Sequence, residues 1–118
     1  MAVPAKCITE TEARQLQDNW KSTRAIEIEN AQGSEDTREF FYTVAELEEY
    51  LAYVKAESIK QGYLAAGVRI YFAAYDNAVT NKATVFLAPT TGTSASSANN
   101  YNIQPLNKAG GGWPPNNY

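Results

Sequence analysis

The sequence predicts an α+β fold, with one small mixed or antiparallel sheet of three to five strands, two helices on one face and an extended C-terminal tail. Three observations lead there. Two segments open with a helix capping box. Two β-rich runs, "GVRIYFAA" and "ATVFLAP", flank a polar loop. The resulting order is α, β, β, α, β, β, tail, with helices and strands in separate blocks. At 118 residues the chain reads as a single domain, 1–118, long enough for a hydrophobic core without covalent staples.

The first helix begins after Thr9. Glu12 follows three positions later, so two side chains can satisfy otherwise orphaned backbone donors. Ala13, Leu16 and Trp20 then recur at helical spacing, and the helix should end near Ser22. In "RAIEIE", Ile26 and Ile28 alternate with Glu27 and Glu29, the period of a short strand. Turn residues fill Asn30–Asp36. "REFFYT" is aromatic and strand-like, and Thr43 with Glu46 makes the second capping box. Val44, Leu47, Leu51 and Val54 mark the expected buried stripe of this helix. Acidic residues near its start and Lys55 and Lys60 near its end suit the helix dipole, and Gly62 is its natural stop.

In the following strand Val68, Ile70, Phe72 and Ala74 alternate with Arg69, Tyr71, Ala73 and Tyr75. With "ATVFLAP" it should form an antiparallel hairpin across Asp76–Lys82. If 38–42 and 67–75 are parallel neighbours, the crossover through the long helix should be right-handed. Residues 90–102 are rich in Ser, Thr, Asn, Ala and Gly and read as a mobile loop. Residues 103–118 combine Ile103, Leu106, Trp113 and Tyr118 with prolines and glycines. Such a strip can cross the sheet face opposite the helices as a packed lid; a partner hook and a loose tail are the rival readings.

Composition excludes several chemistries. The chain has no histidine and one cysteine, Cys7. Triads that need histidine cannot form within it, and an internal disulfide or a cysteine-rich zinc site is impossible. No metal ligand set, cofactor motif or catalytic constellation is evident, which points away from an enzyme. The net charge is −3. Residues 1–62 carry twelve acids and seven bases, whereas 63–118 carry only Asp76 against Arg69, Lys82 and Lys108. Three scattered cations make no phosphate track, so nucleic acid is not an expected partner. No apolar run is long enough for a membrane, no leader pattern opens the sequence, and the expected location is the cytoplasm.

The candidate binding residues lie on the sheet and tail. If Val68, Ile70 and Phe72 face the helices, Arg69, Tyr71 and Tyr75 face away, with Arg38 and Tyr42 joining from the preceding strand. An arginine among tyrosines can hold an anionic group while the rings hold an apolar body. The plainer alternative is a half-exposed sheet face on which tyrosines keep one end wet. Trp113 and Tyr118 complete the set.

The run "EFFYTVAELEEYLAYVKAESIKQGYLAAGVRIYFAAYDN", with "ATVFLAPT" and "NIQPLNKAGGGWPPNNY", resembles a group of small bacterial α+β proteins with no assigned activity. The likeness runs from Arg38 onward and implies that the tail belongs to the fold. It brings no ligand or catalytic residue with it. The leading expectation is a non-catalytic cytoplasmic domain that binds a protein partner or a copy of itself. The alternative is a small-molecule binder or modest enzyme that takes an anionic ligand on the Arg/Tyr face.

Overall fold

The computed structural model describes residues 1–118. It is an α+β protein with helices α1 (Glu10–Ser22), α2 (Arg24–Gln32) and α3 (Val44–Lys60), and strands β1 (Phe40–Phe41), β2 (Val68–Ala74), β3 (Ala83–Pro89) and β4 (Gly110–Gly111). The chain forms two compact units, one of Met1–Asp36 with Trp113–Tyr118 and one of Thr37–Gly112.

In the first unit the predicted capping box is present: the Glu12 amide donates to Thr9 Oγ1 at 3.1 Å, and the Thr9 amide donates to Glu12 Oε2 at 2.9 Å. The backbone breaks at Thr23 and resumes as α2. The strand expected at Ile26 and Ile28 is therefore a helix. Two alternating isoleucines are a weak signal, and the unit contains no strand to pair with. A helix satisfies its own backbone groups, and the alanine and glutamates around the isoleucines favour it. Gly33, at φ 81°, ends α2 in the left-handed conformation that glycine adopts without strain. The C-terminal residues join this unit. Trp113 Nε1 donates to the Glu35 carbonyl at 3.0 Å, and the Tyr118 amide donates to Gln17 Oε1 at 3.2 Å. The Arg14 guanidinium donates to the Tyr118 main-chain oxygen and lies 5.3 Å from the Tyr118 ring centroid.

The second unit holds both sheets. Instead of one sheet of three to five strands there are two of two strands, both antiparallel: β1–β4 and β2–β3. No parallel crossover links β1 to β2; Phe40 and Phe41 pair with Gly111 and Gly110. The hairpin is as predicted, with Ile70 opposite Leu87 and Tyr71 opposite Phe86. On the far side of β3, Leu87 and Leu106 exchange both backbone hydrogen bonds, at 2.8 and 2.9 Å. Leu106 thus extends the sheet by a single bridge, too short to count as the missing strand.

The core comprises Tyr50 and Val54 of α3, Leu87 of β3 and Ile103, with Tyr42, Leu47, Val68 and Leu106 packed around them. Of the helices, α3 contributes to this core. The α3 stripe also differs from expectation: Val44 and Leu51 are exposed, and Tyr50, Val54 and Ser58 are buried. Tyr50 displaces Leu51 because it can bury a large ring and still satisfy its hydroxyl, which faces the carbonyls of Leu87 and Gln104 at 3.2 and 2.9 Å.

Candidate functional site: the two faces and open edge of the hairpin

In an antiparallel pair, directly opposed residues share a face. One face of the hairpin therefore carries Val68, Ile70 and Phe72 with Pro89, Leu87 and Val85. The other carries Arg69, Tyr71 and Ala73 with Ala88, Phe86 and Thr84. The sequence assigned these faces correctly, but not their cover. On the first face Val85 and Leu87 of β3 are buried, whereas Ile70 and Phe72 of β2 are 69% and 84% exposed. Cover thus reaches β3 and stops short of the middle of β2.

The second face is partly covered by residues 90–102. Arg69 Nη1 donates to Asn99 Oδ1 at 2.7 Å, and Nη2 donates to the carbonyls of Ala95 at 2.6 Å and Ser97 at 2.5 Å. Asn99 Nδ2 in turn donates to the Tyr71 hydroxyl at 2.8 Å. The loop is closed at its base by the Thr90–Asn99 bridge. The guanidinium expected to meet an anion is thereby turned onto oxygen atoms of its own chain.

Asn107 gathers two more of the predicted residues. Its carbonyl accepts from the Tyr42 hydroxyl at 2.9 Å, and its Oδ1 accepts from the Tyr75 hydroxyl at 3.0 Å. Its Nδ2 donates to Thr84 Oγ1 and to the Val85 carbonyl, at 3.1 and 2.7 Å. Burial, then the nearby Glu46 carboxylate, raises the Tyr42 pKa above its ordinary value, so Tyr42 keeps its proton as a donor. Arg38 is half-buried just before β1. Trp113 and Tyr118 lie in the other compact unit. Six of the seven candidates fall into three groups: Arg69 with Tyr71, Tyr42 with Tyr75, and Trp113 with Tyr118 in the first unit. The tail expected over the Arg/Tyr face is divided among Ile103 in the core, Leu106 beside β3 and the closing residues of the first unit.

Sequence reasoning missed Phe86, Asn99, Tyr101 and Asn107. Tyr71 and Phe86 stack with centroids 5.1 Å apart. Beside them lies an open cavity of about 370 Å³, lined in part by Asn99, Tyr101, Pro89 and Pro105. The hairpin register was the one signal that could have found Phe86. The asparagines sit in a polar stretch whose composition masks them. No family model, curated protein or solved structure matches this chain, so the site is read from its own geometry.

Proposed function

We propose that this chain is a non-catalytic cytoplasmic interaction domain that self-associates through the open edge of β2. The observation that carries the reading is the exposure of Ile70 on a strand paired on one side only. Gly67 and Tyr75 are the residues that hydrogen-bond across to Thr90 and Lys82 at either end of the hairpin. The alternation of an antiparallel ladder then turns the backbone groups of Val68, Ile70 and Ala74 toward the opposite edge, where no strand pairs. Edges are ordinarily guarded by proline, lysine, a bulge or short length. "VRIYFAA" is seven residues long and has no proline or lysine, and its one charge, Arg69, is folded onto the loop.

The edge is also self-complementary. An antiparallel pair of β2 strands centred on Tyr71 puts Arg69 opposite Ala73 of the other copy. No like charges meet across such a pair. The anionic-ligand alternative is less well supported, because Arg69 already spends both terminal nitrogens on the chain's own oxygens.

Sedimentation over a range of concentrations tests the reading. The wild type is expected to move from monomer to dimer. An Ile70→Lys variant should stay monomeric with unchanged thermal stability when dilute, since that side chain is exposed. A wild type that remains monomeric at high micromolar concentration would end this reading.

A further inference from the structure

The cavity beside Tyr71 and Phe86 has no role in edge pairing, and we propose that it is a binding site for an uncharged planar heterocycle. Its volume, about 370 Å³, falls in the range of small-molecule sites. Tyr71 and Phe86 form a stacked ring pair on the sheet. Pro105 is exposed and adds apolar surface, and Tyr101, 89% exposed, belongs to the same lining. Surfaces of this kind favour the broad face of a flat ring, and stacking on aromatic side chains is tolerant of ring identity.

The polar groups define the class further. No acidic or basic side chain lines the cavity, and Arg69, on the same sheet face as Tyr71, is committed to Asn99, Ala95 and Ser97. A phosphate or carboxylate would find no counter-charge. The Tyr71 hydroxyl accepts from Asn99, which leaves its own proton to donate. Asn99 Nδ2 has two protons, and Oδ1 has two lone pairs. These groups can read the polar edge of a neutral ring while its faces lie on apolar surface. A sugar ring would ask for more hydrogen-bonding groups than the lining offers.

Ligand-observed saturation-transfer NMR on the full chain tests this, with adenine as probe. Adenosine monophosphate serves as the charged counterpart and methyl β-glucopyranoside as the non-planar one. Adenine is expected to receive saturation and the glucoside none, with the monophosphate binding no tighter than adenine. Tyr101→Ala, which removes an exposed wall without touching the core, should weaken adenine about tenfold. Tyr71→Phe should weaken it a few-fold while keeping the ring stack. No transfer to adenine, equal binding by Tyr101→Ala, transfer to the glucoside alone, or a clear gain from the phosphate would each overturn the proposal. Repeating the measurement with the Ile70→Lys variant separates the two readings, because loss of self-association should leave adenine binding intact.

Discussion

Tyr50 sits where the α3 helix, β3 and the segment around Ile103 meet, and its hydroxyl is shared between two backbone carbonyls. Burial, followed by the neighbouring Tyr53, raises its pKa above the ordinary 10.0. A pKa raised on folding means that the folded chain holds the proton more tightly than the unfolded chain. The associated stability is complete below pH 10.0 and is lost as the pH climbs through the folded value. Tyr42 shifts in the same direction. Tyr50→Phe keeps the ring and is expected to cost about 1 kcal/mol at neutral pH. It should also flatten the decline in stability on the alkaline side. Urea denaturation in a pH series checks both, and an alkaline limb as steep as that of the wild type would remove Tyr50 as a cause. Asn107 offers a second test. Asn107→Ala strands the Val85 carbonyl, Thr84 Oγ1 and the Tyr75 hydroxyl together, and a loss of about 1–3 kcal/mol follows. Its backbone carbonyl still accepts from Tyr42, so the effect should be partial rather than an unfolding.

Among the elements, α3 is the most strongly written into the chain. Its Thr43–Glu46 box forms with both hydrogen bonds at 3.0 Å, and Gly62, at φ 90°, stops it. Thr43→Ala is expected to lower stability by about 1 kcal/mol. Glu46 has its pKa lowered from the ordinary 4.5, first by the Thr43 amide and then by the Thr43 hydroxyl. A lowered pKa gives stability that is present above 4.5 and lost as the pH falls through the folded value. The gap between wild type and Glu46→Ala, which removes the titrating carboxylate, should therefore narrow in acid, and a gap constant from neutral pH to acid would contradict this. Caps and alternation were legible in the sequence because they depend on neighbours a few residues apart. So were the hairpin and the shared face of Arg69 and Tyr71. The burial of Tyr50 over Leu51, the helix at Ile26 and Ile28 and the loop held by Arg69 were not. Each depends on what lies across from the residue in space: carbonyls for Tyr50, a missing strand for the isoleucines, and the carbonyls of Ala95 and Ser97 for Arg69. The polar composition of 90–102 suggested only mobility, because it does not reveal that Asn99 is met by an arginine and a tyrosine.

At the level of the whole molecule, the closing residues Trp113–Tyr118 and the stretch before them serve different units, and two truncations separate them. Residues 100–107 supply Ile103, which is 2% exposed, the Leu106 bridge to β3 and the Asn107 clasp. Losing a buried isoleucine alone costs about 2–5 kcal/mol, a large share of the stability of a small domain. A chain ending at Asn99 should therefore show no cooperative unfolding transition. A chain ending at Gly112 retains every one of those contacts and β4 as well. It loses only Trp113–Tyr118, which the first unit uses to engage Glu35, Arg14 and Gln17. That unit is built from both ends of the chain and has no fully buried side chain in either helix. Its stability should depend heavily on those six closing residues. Hydrogen exchange resolved by segment is the measurement. Removal of 113–118 should deprotect 10–32 and leave 68–89 as slow as in the full chain. Equal deprotection of both stretches would mean that the two units unfold as one, and that the C-terminal tryptophan and tyrosine support the hairpin as well as the N-terminal helices.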